Sequence, residues 1–180
     1  DMLGMHGSVY ANLAVYQADL ILAIGVRFDD RVTGKLAEFA PRAKIIHIDI
    51  DAAELNKNKV AHIPIVSDAR YAIEELNKIV EKPDDHSAWL EECERLKQAD
   101  PFQYDTEFDG ILQQHAISEL WRATQDRETI VTVGVGQHQM WAAQFYHFSQ
   151  PRTWLSSSGL GTMGFGLPAA MGAQAACPDK

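Results

Sequence analysis

Residues 19–25, DLILAIG, form an apolar run closed by a glycine, and few folds can house such a run. Its length and its glycine stop read as a strand buried on both faces, the kind that parallel sheets carry between layers of helix. Two further β-branched runs follow, AKIIHIDI (43–50) and IPIV (63–66). Helical spacing fills the gaps. VYANLAVYQ (9–17) puts Val9, Leu13 and Tyr16 on one face, and AAELNKN suits a short helix. Ser67 and Asp68 are reasonable caps for a helix that turns Ile73, Leu76 and Val80 inward. This alternation predicts an α/β fold built of parallel-sheet, Rossmann-like three-layer units with right-handed crossovers.

EKPDDHSA (81–88) carries a proline and charges and buries little, so a boundary is expected there. A helix with Trp89, Cys93 and Leu96 on one side follows, broken at Asp100-Pro101, and FQYDTEFDG reads as a linker. The division predicted is 1–82, a connecting helix and linker over 83–110, and a second unit over 111–180. That second unit begins with the helix ILQQHAISELWRAT and the strand ETIVTVGVG. A helix from about His138, a short strand TWLSSS and a glycine-rich turn into an alanine-rich helix complete it. The alternation stops without resolving, and both termini read as cuts, so an incomplete sheet is expected.

Composition narrows the function classes. The formal charge of −9, with no lysine or arginine cluster, would repel a phosphate backbone and argues against nucleic acid as a partner. Cys93 and Cys177 match no metal-ligand spacing and read as reduced thiols, as expected of a cytosol-like compartment. The run Leu20 to Val26 is far too short to span a bilayer, and no membrane partner is expected.

Ligands of an open parallel sheet bind at the carboxyl ends of its strands, and the unusual clusters of this sequence fall there. GVRFDDR (25–31) brings a glycine, two guanidinium forks and two carboxylates together within seven residues. Arginine suits phosphate and a carboxylate suits a ribose hydroxyl, although the same string also fits a solvated loop of Asp–Arg pairs. Asp49 of IDID is a candidate ribose acceptor or a helix cap, and SDAR again sets an acid at a strand end. In LGMHG (3–7), two glycines let the backbone approach a flat ligand, Met5 offers a soft apolar contact, and His6 is a donor or a structural histidine. SSSGLGTMGFG holds a literal G-x-G-x-x-G at Gly159, Gly161 and Gly164. The acid a dinucleotide turn needs would have to be Asp179, with no second strand between, so the nicotinamide reading is weak. GVGQHQMW is a strand end running into a helix start whose amides, with Gln137 and His138, could receive a diphosphate or form a plain polar cap.

Together, LGMHGSVYANLAVYQADLILAIGVRFDDRVTGK, HIDIDAAELNKNK, VGQHQMW and SSGLGTMGFGLPAAMGAQ resemble, in order and spacing, the acetohydroxyacid synthase (acetolactate synthase) family of thiamine-diphosphate enzymes. Other members of the wider group share the glycine-rich turn; the pairing of GVRFDDR with QHQMW points to the synthase. The resemblance implies that the first unit is the second half of a middle domain holding FAD in an extended pose. The matching FAD contacts would be Leu3, Gly4, Met5 and His6; Gly25, Val26, Arg27, Phe28, Asp29, Asp30 and Arg31; Asp49 and Ile50; and Asp68 and Ala69. It further implies that the second unit begins the diphosphate-binding domain. Gln137 and His138 would touch thiamine diphosphate, Gly161, Thr162 and Met163 would hold its aminopyrimidine, and Met163 would be the apolar wedge beneath the thiazolium ring.

The reaction implied is decarboxylation of pyruvate and condensation with a second 2-ketoacid, pyruvate or 2-ketobutyrate, to give 2-acetolactate or 2-aceto-2-hydroxybutyrate for branched-chain amino acids. A same-chain dimer or tetramer, a regulatory small subunit and a cytoplasmic or plastid-stroma location are implied as well. The family's activating glutamate and its Mg2+-ligating GDG…N segment have no counterpart in the sequence. No catalytic residue and no metal ligand is therefore assigned, and the 180 residues alone are expected to be inactive. The rival expectations are another thiamine-diphosphate carboligase or oxidase, or a nucleotide-binding piece without catalysis.

Overall fold

A computed structural model describes residues 2–81 and 85–180, which divide into two compact units, Asp1–Pro101 and Phe102–Lys180. Part of the boundary expected over 81–88 lies outside the described residues.

In the first unit, α1 (Val9–Gln17) precedes β1 (Leu20–Ile24), and α2 (Asp30–Thr33) leads on to β2 (Lys44–Asp49). β3 (Ile63–Val66), α3 (Ala69–Ile79) and α4 (Ser87–Ala99) complete it. The three strands are parallel in the order β1-β2-β3, with Ile24 beside Ile48 and Asp49 beside Val66. That register brings the three strand ends, and the loops after them, to one edge. The core beneath is small: Ala23, Phe28, Ile45 and Ala61, with Ile21, Val26 and Phe39 packed against it. His47 on the central strand is wholly buried, edge-on to Phe28 at 5.1 Å. Neither of its ring nitrogens has a hydrogen-bond partner among the described residues.

The structure departs from three of these expectations. β1 is not buried on both faces: Leu20 and Leu22 are 55% and 49% exposed, because β1 is an edge strand and α1 packs chiefly on α4. AAELNKN forms turns, not a helix. Asp49 Oδ1 accepts the Asp51 N–H, Asp51 Oδ1 the Ala53 N–H, and Asn56, at φ +61°, the Ala61 N–H. These side-chain bonds hold the backbone in place of a helical ladder. Ile73 on α3 and Val80, just past its end, face solvent; small Ala72 is buried instead, and this helix contacts β2.

In the second unit, α5 (Gln113–Thr124) leads to β4 (Val131–Val133), followed by α6 (Gln137–Phe145), β5 (Trp154–Ser156) and α7 (Gly166–Ala176). β4 and β5 are parallel, with Val133 beside Ser156, and both α6 and α7 touch β4. The stretch read as a linker divides. α4 lies on α1 in the first unit, whereas Phe102 and Tyr104 set their rings 5.8 and 5.6 Å from Phe145 in the second.

Candidate cofactor sites

In the first unit the approach loop is pinned on two sides. Gly4 donates its N–H to Asn12 Oδ1 at 2.9 Å and accepts Asn12 Nδ2 at 3.0 Å, while Met5 N–H donates to the Arg31 carbonyl at 2.9 Å. Gly4 has φ +88°, and a β-carbon there would run into the Arg31 carbonyl oxygen. Only glycine permits this approach. The Arg31 guanidinium reaches Met5 Sδ at 3.5 Å. Leu3–His6 and Asp29–Arg31, distant in sequence, thus form one rim, on which Met5, Arg27, Asp30 and Arg31 are exposed.

The loop after β1 turns at Gly25, whose N–H donates to the Ile48 carbonyl at 2.9 Å. A β-carbon on Gly25 would meet nothing within 4 Å, so backbone is open to a ligand there. Phe28 behaves otherwise: at φ +49° its ring turns into the core, 3% exposed, and it can offer a ligand only backbone. Asp29 caps α2, accepting the Arg31 N–H at 3.1 Å, and pairs loosely with Arg27 at 3.5 Å. Asn58 fastens the loop from below, donating to the Arg27 carbonyl at 3.0 Å. Asp49 ends β2 with one carboxylate oxygen on the Asp51 N–H, and Ile50 beyond it is exposed. Asp68 accepts the Arg70 and Tyr71 N–H groups at the start of α3, next to Ala69. The exposed guanidinium groups, the open Gly25 and the acids at successive strand ends fit an extended dinucleotide such as FAD.

In the second unit, β4 ends at Val133 and the chain passes through Gly134–Gly136 into α6. No side chain caps α6, and within its first turn the Gln139 N–H donates to the Gly136 carbonyl at 3.1 Å. Gln137 and His138 are both exposed there, and the His138 ring folds back over Gly134 and Gly136. This helix start fits a diphosphate. Across the strand ends, Ser157 holds the glycine-rich turn, its carbonyl taking the Gly161 N–H at 2.7 Å and its hydroxyl the Thr162 N–H at 3.0 Å. Gln139 donates to Ser156 Oγ at 2.7 Å and ties α6 to β5. Thr162 is exposed, Met163 is 83% exposed, and a β-carbon on Gly161 would meet nothing within 4 Å. The arrangement fits the flat face of a thiamine-type ligand on the Gly161–Met163 turn.

Metal chemistry finds no such fit. Among the described residues no group of three or more His, Cys, Asp and Glu could hold a metal ion. No step is assigned to Mg2+.

Sequence reasoning brought out the strand ends and missed their fasteners: Asn12, Asn58, Gln139 and Ser157. The asparagines carry no local signal, since their partners lie 8 and 31 residues away. The serine run 156–158 reads in sequence only as part of the turn that it secures.

Comparison with known proteins finds one match within each unit. Residues 1–76 match the thiamine pyrophosphate enzyme central domain, and residues 134–180 match the C-terminal TPP-binding domain. The chain is 55% identical over 99% of its length to "Acetolactate synthase 3, chloroplastic" of Brassica napus, covering 28% of that protein. It is 55% identical over 99% to "Acetolactate synthase, chloroplastic" of Arabidopsis thaliana, covering 27% of it. To "Acetolactate synthase 1, chloroplastic" of Zea mays it is 54% identical over 98%, covering 28%. The chain thus spans a little over a quarter of the length of these relatives. No helix among the described residues is long and apolar enough to cross a membrane. With two parallel-sheet units matching two domains of one enzyme group in the right order, the chain belongs to the thiamine-pyrophosphate enzymes.

Proposed function

We propose that the protein to which this chain belongs is an acetolactate synthase, joining the two-carbon unit of pyruvate to a second pyruvate or to 2-ketobutyrate. The observation that carries this reading is identity of 54–55% to plant acetolactate synthases over 98–99% of the chain. Bound thiamine diphosphate supplies the electron sink for decarboxylation. The work of this chain is placement. The first turn of α6, with Gln137 and His138, receives the diphosphate, and the Gly161–Met163 turn supports the aminopyrimidine and thiazolium. Residues 1–82 carry the FAD part, with Leu3–His6, Gly25–Arg31, Asp49–Ile50 and Asp68–Ala69 along the sheet edge. Residues 111–180 carry the thiamine part, and 83–110 connect them.

The catalytic glutamate and the oxygen ligands of Mg2+ come from polypeptide outside these 180 residues. The intact protein works as a dimer or tetramer of this chain, with a regulatory small subunit as a further partner. The chloroplastic names of the relatives favour the plastid stroma over the cytoplasm. The test supplies the full-length protein and, separately, the 180-residue chain with pyruvate, thiamine diphosphate, Mg2+ and FAD. Acetolactate from the full-length protein alone is the expected result. Pyruvate consumption without acetolactate would turn the reading toward another carboligase or oxidase. Acetolactate from the short chain would overturn the assignment of the catalytic groups outside it.

A further inference from the structure

We infer that Asn12 is a positioning residue for the flavin site, holding the 3–7 loop in the one shape that presents Gly4 and Met5 to the ligand. This rests on the FAD reading above. Asn12 lies on α1, half-buried behind the loop, and is not among the candidate contacts. Its side-chain amide grips both polar groups of Gly4: Oδ1 accepts the N–H at 2.9 Å and Nδ2 donates to the carbonyl at 3.0 Å. Nδ2 also donates to the Ser8 carbonyl at 3.1 Å, within α1's own entry turn. The asparagine therefore treats Gly4 as a neighbouring strand would, fixing the orientation of its peptide groups as well as its position.

The grip propagates. Gly4, held from α1, lies against the Arg31 carbonyl, and Met5 donates its N–H to that same oxygen. Arg31 then reaches Met5 Sδ. One amide thus links α1 to the approach loop and, through it, to α2, so two of the candidate flavin stretches share their geometry. Without it Gly4 loses two partners, and the loop must be ordered by the ligand itself, which lowers affinity.

Asn12→Asp in the full-length protein keeps the acceptor for the Gly4 N–H but turns a carboxylate oxygen toward two carbonyls. FAD titrated into the flavin-stripped variant should bind about tenfold more weakly, the equivalent of roughly one or two lost hydrogen bonds. Thiamine diphosphate affinity should stay unchanged. Ser8→Ala is the control: it removes the α1 cap, the Ala11 N–H to Ser8 Oγ bond of 3.2 Å, without touching Gly4. It should lower stability but not FAD affinity. Asn12→Ala serves the same readouts if the aspartate variant fails to fold. FAD affinity within twofold of the unsubstituted protein would overturn the inference while leaving the flavin reading standing. So would parallel losses of FAD affinity in the Asn12 and Ser8 variants. An unsubstituted protein that binds no FAD would overturn both.

Discussion

Gly166 passes so close to Gly134 that a β-carbon on it would stand 2.7 Å from the Gly134 nitrogen. The first residue of α7 is thereby seated on the end of β4, and Thr132 Oγ1 adds a hydrogen bond to the Gly166 carbonyl at 2.9 Å. The glycine-rich turn hangs between that contact and Ser157. Gly166→Ala forces helix and strand apart and should destabilise the second unit by about 1–3 kcal/mol, the usual cost of overpacking. Thermal unfolding of the full-length protein without cofactor measures this. An unchanged midpoint would mean that helix and strand can part at this seat without cost.

The same test separates Gly4 from Gly25. A methyl on Gly4 meets the Arg31 carbonyl at a positive φ, so Gly4→Ala should cost about 2 kcal/mol or more before any ligand is added. Gly25→Ala meets no neighbour, leaving only the cost of its φ of +64°, about 1 kcal/mol. Its larger effect should fall on FAD affinity, because the new methyl occupies the open face. FAD-induced stabilisation, measured on both variants, should shrink more for Gly25→Ala than its unfolding midpoint without ligand suggests.

His47 sits in the core of the first unit with two desolvated ring nitrogens and no partner among the described residues. Leaving such groups unpaired costs on the order of 1–3 kcal/mol, so an apolar residue of similar volume gives little away. His47→Leu should be as stable as the unsubstituted protein or about 1 kcal/mol more stable, read from urea unfolding. A loss of 2 kcal/mol or more would show that the ring makes a polar contact elsewhere in the intact protein.

How far the sequence reached can be read from residues rather than elements. Strand identity was legible because Leu20–Ile24 and Lys44–Asp49 are apolar runs with sharp polar ends, and polar clusters at those ends mark a sheet edge. Burial was less legible. Leu20, Leu22, Ile73 and Val80 are as apolar as core residues, yet periodicity says which face they share and not what covers it. AAELNKN failed as a helix because Asp49, Asp51 and Asn56 spend their side chains on nearby N–H groups, a competition that propensity alone does not resolve. The resemblance places Phe28 among the candidate flavin contacts, whereas its positive φ turns the ring inward.

On α4, Arg95 holds Glu92 through two hydrogen bonds of 2.7 Å, and this bond keeps the Glu92 carboxyl below the usual carboxylate range. A depressed acid stabilises the folded form fully above its ordinary value, near 4.5, and loses that contribution as pH falls through the lower folded value. Arg95 is exposed and Glu92 partly so, and solvent screening keeps the effect small and local. Amide exchange of α4 should therefore accelerate from about pH 4.5 downward in the unsubstituted protein, beyond the intrinsic pH dependence of exchange. In Glu92→Gln that added acceleration should be absent. Equal profiles would mean that the pair contributes nothing to helix order.

Met163 projects almost bare from the turn that Ser157 holds, 83% exposed, so nothing within its own unit depends on it. Truncating an exposed side chain shifts stability by less than about 0.5 kcal/mol. Its proposed role is toward the thiazolium face, where a polarisable, apolar side chain supports a flat ring without competing for hydrogen bonds. Met163→Ala in the full-length protein should leave the cofactor-free unfolding midpoint in place. It should also raise the thiamine diphosphate concentration needed for half-saturation by about tenfold, roughly the contribution of one well-packed apolar contact. Ser157→Ala should act on the same quantity by loosening the turn, and more weakly, because the Gly161 N–H bond to the Ser157 carbonyl survives it. A midpoint lowered by Met163→Ala with half-saturation unchanged would assign the side chain to packing against the rest of the polypeptide, and not to the cofactor.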